Sequence, residues 1–286
     1  MIGSVFRVGV FQFAPVLGDP EANALRIAHA AAGNEVDLLV TPELALTGYG
    51  IGDDAARLAL PLEDIPHGLG ALEEVEDLII GLIERDRTGT PMNAAVHLRQ
   101  GRVLFRHRKL YLPTYGMFDE GRFFGRGNAL SAYELGGGWR AGLLICEDFW
   151  HPALVYLLAA RGIDLLVVQA AGAGRGVWSG SESGGRFASA DTWERMARVT
   201  AEIYGVYVVL ANRVGVEGGV VFAGGSLIID PRGRILARGP DDAEAVITAE
   251  LALDEVARAR RPWSHIRDDD PWLTHRELTR LLEELP

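Results

Sequence analysis

The stretch "PALVYLLAARGIDLLVVQAA", residues 152–171, decides how the fold is read. Its first part is a helix that stops at a glycine. Its second part, "IDLLVVQAA", is a short apolar run without polar alternation, the pattern of a strand covered on both faces. The same unit stands upstream. "DPEANALRIAHAAAG" (19–33) begins as a helix near Asp19 and Pro20 and ends at Gly33, and the apolar strand "VDLLVTPE" (36–43) follows it. The echo between "VDLLVTPE" and "IDLLVVQA" suggests two similar halves.

Outward from these two units the chain continues to alternate. "VFRVGVFQFA" (5–14) and "WRAGLLIC" (139–146) read as strands, and "MNAAVHLRQGRVLFRHRK" (92–109) as two strands joined at Gln100-Gly101. "GLGALEEVEDLIIGLIERD" (68–86) is expected to be a helix and "TWERMARVTAEIYG" (192–205) is another. "VYVVLANRVG" (206–215) is a strand. "GGSLIIDPRGRILARG" (224–239) makes strands about a turn at Pro231–Gly233, and "AEAVITAEL" (243–251) closes the core. Alternating strands and helices with doubly covered strands give an α/β fold. No low-complexity linker divides the chain, so residues 1–286 are read as one domain, with a helical tail over about 254–286. The glycine- and serine-rich segment 172–187 is either a plain surface loop or a pocket lid.

Composition bounds the function. Apolar residues make up 48% and charged residues 23%, as in an ordinary globular protein. A net charge of −11 argues against nucleic acid or an anionic membrane surface as partner. The N-terminal residues lack the features of a signal peptide, and no apolar run approaches bilayer length. A lone cysteine excludes an internal disulfide, so a cytoplasmic location is expected.

Two residues are each unique in the chain. Lys109 is the only lysine among 28 basic residues, and Cys146 is the only cysteine. A coding bias toward arginine explains the missing lysines but not the survivor. A compact ammonium fits a tight site where a guanidinium fork does not. Glu43, Lys109 and Cys146 each lie at or just past a strand end, where segments of an α/β sheet converge on ligands. Cys146 precedes "EDFWHP", which leads into a helix. A thiol there and close to an ammonium is expected to have a lowered pKa and to act as a nucleophile. Taken singly, it reads as an inert buried cysteine, the commoner fate of a lone cysteine on an apolar strand. Glu43 suits general acid–base work, with a turn or capping carboxylate as the alternative. His107 and His151 have no spaced partners for a metal, no G-x-S-x-G elbow occurs, and the sole lysine is followed by leucine, which excludes a Walker A loop. No metal or other cofactor is expected.

Together the segments "TPELALTGYG", "HRKLYLPTYGMFDEGRFF" and "ICEDFW" resemble the motifs of the nitrilase, or carbon–nitrogen hydrolase, superfamily. With "GVYVVLANRVG" they are most similar to the glutaminase domain of glutamine-dependent NAD synthetases. The resemblance runs from about residue 5 to residue 250. It implies a four-layer α-β-β-α sandwich that forms homodimers or larger homo-oligomers through its helices. It also implies a thiol amidase acting on a small-molecule amide. In that scheme Cys146 is the nucleophile, Glu43 the proton carrier and Lys109 the oxyanion stabiliser, helped by the Glu147 backbone N–H, while Glu120 holds the lysine. Tyr49, Tyr115 and Trp150 fall on positions that line the glutamine pocket of the relatives. The synthetases carry a long ATP-using half that has no counterpart here. Where they tend to place Asn, Ser and Pro, this chain reads "QAAGAGRGVWSG". Glutamine, ω-amides, carbamoyl compounds and nitriles therefore stay open as substrates. An ammonia-supplying subunit and a non-catalytic binding module stay open as alternatives.

Overall fold

The computed structural model describes residues 5–65, 70–73, 75–176, 187–262 and 265–285. In chain order its elements are β1 (Phe6–Gln12), α1 (Pro20–Ala32), β2 (Leu38–Val40), α2 (Ala55–Leu58), β3 (Leu60–Pro61), β4 (Asp77–Arg85), β5 (Pro91–Arg99) and β6 (Arg102–Arg108). The short α3 (Glu120–Phe123) leads to β7 (Ala132–Gly136), β8 (Trp139–Ile145), α4 (Pro152–Ala160), β9 (Leu165–Ala170) and α5 (Ala188–Tyr204). The remainder is β10 (Tyr207–Asn212), β11 (Val214–Glu217), β12 (Val220–Ala223), β13 (Leu227–Ile229), β14 (Ile235–Arg238), β15 (Ala245–Leu251), α6 (Leu253–Arg260) and α7 (Pro271–Glu284).

Two mixed sheets result. One runs β15-β1-β2-β4-β5-β6 with β3 against β4, and the other β14-β13-β10-β9-β8-β7. Side-chain alternation assigns their faces. Val8, Val10, Leu38, Val40 and Ile79 of the first sheet share a core with Leu143, Val167 and Val209 of the second. Leu39, Leu78, Ile80 and Leu82 point the other way, onto Ala24, Ile27 and Ala30 of α1. Leu154, Leu158, Trp193, Ala197 and Ala201 of α4 and α5 cover the second sheet. The order is helix, sheet, sheet, helix: the expected α-β-β-α sandwich. Burying each large aliphatic side chain contributes about 1.5–3 kcal/mol.

Local signals explain most elements. The Asp19 side chain accepts from the Ala22 N–H at 3.0 Å, capping α1 with Pro20 in its first turn. Gln100 (φ 47°) and Gly101 (φ 70°) form the two-residue turn between β5 and β6. The helix expected across 68–86 is corrected: its described part is a 3-10 turn at Gly70–Leu72 followed by strand β4. β4 pairs in parallel with β2 and antiparallel with β5 and is covered on both faces, so its unbroken apolar run lacked the period that separates strand from helix. Residues 177–186, most of the segment read as loop or lid, lie outside the described residues.

Strand direction places the site. β2 and β4 run together, β5 runs against them and β6 runs with them, so Glu43 and Lys109 leave the first sheet at one end. β8 and β9 are parallel, so Cys146 and Ala171 leave the second sheet together. Gln169 ties the sheets, its Nε2 donating to Thr41 O at 2.7 Å.

Candidate active site

Lys109 is fully buried. Its Nζ donates to Glu43 Oε1 at 2.7 Å and to Glu120 Oε1 at 2.6 Å. Glu43 is fixed further by Asn93 Nδ2 (2.8 Å to Oε1) and the Ala171 backbone N–H (2.9 Å to Oε2). Its position after β2 depends on Gly81: a Cβ there would meet Pro42 O at 2.3 Å and Leu44 N at 2.6 Å. Glu120 also accepts from the Tyr49 hydroxyl at 2.5 Å. Cys146 turns out of β8 with φ 47°, a left-handed conformation costly for any residue with a Cβ, and opens the 3-10 turn Cys146–Trp150.

The charges around Cys146 are strongly coupled. Burial alone would lower the Lys109 pKa, but Glu43 and Glu120 outweigh it and hold it well above the ordinary lysine value. One ammonium cannot fully neutralise two carboxylates. Burial, against the pull of Lys109 and with the repulsion of Glu43, pushes Glu120 up to about 7. Burial and the negative charge of Glu43 likewise push the Cys146 thiol up, with Lys109 opposing them. The lowered thiol pKa expected from the sequence is therefore corrected. A helix end and an ammonium do not offset loss of water beside a carboxylate.

A cavity of about 280 Å³ opens over the sulfur, lined by Pro113, Tyr115, Phe118, Cys146, Glu147, Trp150, Gly172, Ala173, Arg175, Ser189 and Trp193. Of the residues singled out from sequence, Tyr115, Glu147 and Trp150 lie on this lining. The Tyr115 hydroxyl donates to Glu147 Oε2 at 2.7 Å, and burial, then that bond, raises Tyr115 to about 12. Trp150 meets Trp193 edge to face at 5.3 Å. Tyr49 is not on the lining: it reaches the site through Glu120, and burial followed by Glu120 keeps its phenol protonated. Glu43, Lys109 and Glu120 lie in the interior beside Cys146 and off the cavity surface.

Sequence reading passed over several partners. Asn93 sits in an apolar strand and gave no signal. Asp148, fully buried, accepts from the Leu110 and Tyr111 N–H groups at 2.9 Å each and from Ile145 N–H at 3.2 Å. His107 Nε2 lies 2.8 Å from Oδ2, the oxygen that also accepts from Ile145 N–H, so Asp148 staples the lysine segment to the cysteine segment. The sign available in sequence was a second acid directly after "CE" in an otherwise apolar stretch. His151 stacks on Tyr111 at 3.4 Å, and no group of three potential metal ligands occurs among the described residues. No helix of the described residues is long and apolar enough to cross a membrane.

Comparison with known proteins places the fold and the family. The glutamine-dependent NAD(+) synthetase of Thermotoga maritima is 32% identical over 263 residues, covering 88% of this chain and 43% of the synthetase. The chain thus spans less than half the length of that relative. An (R)-stereoselective amidase of Pseudomonas sp. is 29% identical over 92% of this chain and 90% of its own length. Among solved structures, the amidase of Nesterenkonia sp. AN1 superposes with a TM-score of 0.72 at 26% identity, over 92% of this chain and 96% of that one. That structure is of a glutamate-to-glutamine mutant, with the acetamide moiety of fluoroacetamide covalently added at the active-site cysteine. The carbon–nitrogen hydrolase model matches residues 7–261, and on that match the chain belongs to the carbon–nitrogen hydrolase family.

Proposed function

We propose that this chain is a thiol amidase that hydrolyses a small linear amide through a thioester on Cys146 and releases ammonia. One observation carries the reading: a single buried ammonium bonded to two carboxylates, beside a cavity lined by the chain's only cysteine. Because burial and Glu43 keep the thiol protonated, Glu43 takes that proton as the sulfur attacks the carbonyl carbon. The oxyanion of the tetrahedral intermediate faces the Lys109 ammonium and the Glu147 backbone N–H. Glu43 returns the proton to the departing nitrogen, ammonia leaves and the thioester remains. Glu43 then draws a proton from water, whose oxygen attacks the thioester. The acid departs and the thiol is restored.

Arg175 and Glu147, opposite charges on one lining, favour an amide that also carries a carboxylate and an ammonium. Glutamine is therefore the first substrate to test. The decisive experiment is an ammonia-release screen over glutamine, asparagine, ω-amides, carbamoyl compounds and nitriles, with intact mass measured on Cys146. Absence of both ammonia and an acyl adduct across the panel would leave a binding module instead. Similarity to a glutamine-dependent synthetase supports a second reading, an ammonia-supplying subunit. That reading predicts weak activity alone and stimulation by a partner. We take residues 1–286 as one domain with a helical tail from about 254, which limited proteolysis cutting first inside the sandwich would reject. Pairing of copies through outer helices is proposed likewise, and a monomer in sedimentation rejects it.

A further inference from the structure

The hairpin of β11 and β12 takes no part in the scheme above, yet it holds a buried ion pair. Arg213, 1% exposed, donates from Nη1 to Glu217 Oε2 at 2.9 Å, and its Cζ lies 4.1 Å from the Phe222 ring centroid. Removing two charges from water is rarely repaid by their attraction alone, so a buried pair asks what else it holds. Glu217 Oε1 accepts from the backbone N–H of Tyr49 at 3.0 Å and from that of Gly50. The turn is cut to admit this carboxylate: a Cβ on Gly48 would lie 2.9 Å from Glu217 Oε2, and one on Gly50 would lie 3.1 Å from Oε1. Tyr49 then reaches inward to Glu120, and Glu120 to Lys109.

The second strand of the hairpin is sewn to the cavity wall. Gly174 N–H donates to Val221 O at 2.8 Å and Ala223 N–H to Gly172 O at 3.0 Å. Between these bonds Phe222 meets the Tyr49 ring at 6.1 Å and 64°. One hairpin thus touches both the turn that carries Tyr49 and the loop that lines the cavity.

We propose that Glu217, held by Arg213, is a positioning residue that fixes the 48–50 turn so that the Tyr49 hydroxyl pins Glu120 against Lys109. Its catalytic consequence rests on the amidase reading. Its geometry can be tested without turnover, because alkylation of the only cysteine reports on the charges beside it. Glu120 is faced by Lys109, Glu43 and Tyr49, and the Tyr49 bond stabilises its carboxylate. Loosening that bond moves Glu120 protonation to higher pH.

The test measures the rate of Cys146 alkylation by iodoacetamide against pH in the full chain. It compares the unsubstituted protein, Tyr49→Phe, Glu217→Gln and the double variant, with thermal melts alongside. The inflection near neutrality is expected to rise by about one pH unit in each single variant, a tenfold change in rate on the acid side, and to rise no further in the double. A melt lowered by Glu217→Gln with the inflection unmoved marks a purely structural pair and overturns the proposal. So do additive shifts in the double variant, or no inflection in the unsubstituted protein. If the profiles behave as expected while no amide is hydrolysed, the positioning role stands and the amidase reading falls.

Discussion

Lys109 stands between Glu43 and Glu120, 2.7 Å from one carboxylate and 2.6 Å from the other, with none of the three side chains more than 4% exposed. An ammonium can donate to both and keep a third N–H for a substrate oxygen. A guanidinium fork spreads its donors in a plane and cannot take the same place. Lys109→Arg is therefore expected to lower kcat/KM by about a hundredfold or more, in the range lost when an oxyanion donor is removed. Overpacking should cost about 1–3 kcal/mol in stability, leaving the fold intact by circular dichroism. Near-normal turnover in this variant would remove the physical reason for the lone lysine.

Cys146→Ala is expected to abolish ammonia release and the acyl adduct on intact mass. The conformation of Cys146 adds a second expectation. At φ 47° any Cβ is disfavoured, so Cys146→Gly should melt no lower than Cys146→Ala although it buries less, with a difference of about 1 kcal/mol in favour of glycine. A markedly less stable glycine variant would count against backbone strain at Cys146.

Glu120 titrates at about 7 instead of 4.5, so turnover should fall as pH drops through neutrality, tenfold per unit once Glu120 is protonated. Glu120→Gln should flatten that limb while lowering the plateau. The same group carries a stability sign. Between 4.5 and 7 the folded chain keeps a proton that the unfolded chain has released, so this group makes stability fall as pH rises through that window. Lys109 carries the same sign in a different window: its raised pKa adds stability that is fully present below the ordinary lysine range and is lost only as pH rises into strong alkali. Kinetics and denaturant midpoints across pH separate the two.

Gly81→Ala tests whether Glu43 is placed by close backbone approach. Its new Cβ would press on Pro42 O and Leu44 N, and Leu46 N–H would be driven from its 3.0 Å bond to Gly81 O. The expected result is a loss of activity far larger than the loss of melting temperature would explain, since about 1 Å at Glu43 can cost a hundredfold.

Asp148→Asn removes a carboxylate that four donors share. A stability loss of about 1–3 kcal/mol is expected from the bond left unmade, measured by chemical denaturation. Activity should fall with it, because the lysine and cysteine segments are joined through this side chain. Unchanged stability would mean that the staple is not needed.

The sequence by itself determined the alternation of helices and doubly covered strands, the α1 cap at Asp19, the Gln100-Gly101 turn and the strand ends on which Glu43, Lys109 and Cys146 fall. These follow from local propensity, turn chemistry and the residue types at each position, which a linear chain displays. It misread 68–86 because a strand covered on both faces and a buried helix present the same apolar run. Only the tertiary structure decided which strands lie side by side, and so that Asn93, the Ala171 N–H and Tyr49 converge on the two carboxylates. It also reversed the expected shift of the Cys146 thiol. A pKa is set by the water lost and the charges gathered around a group, and neither quantity exists until distant segments meet.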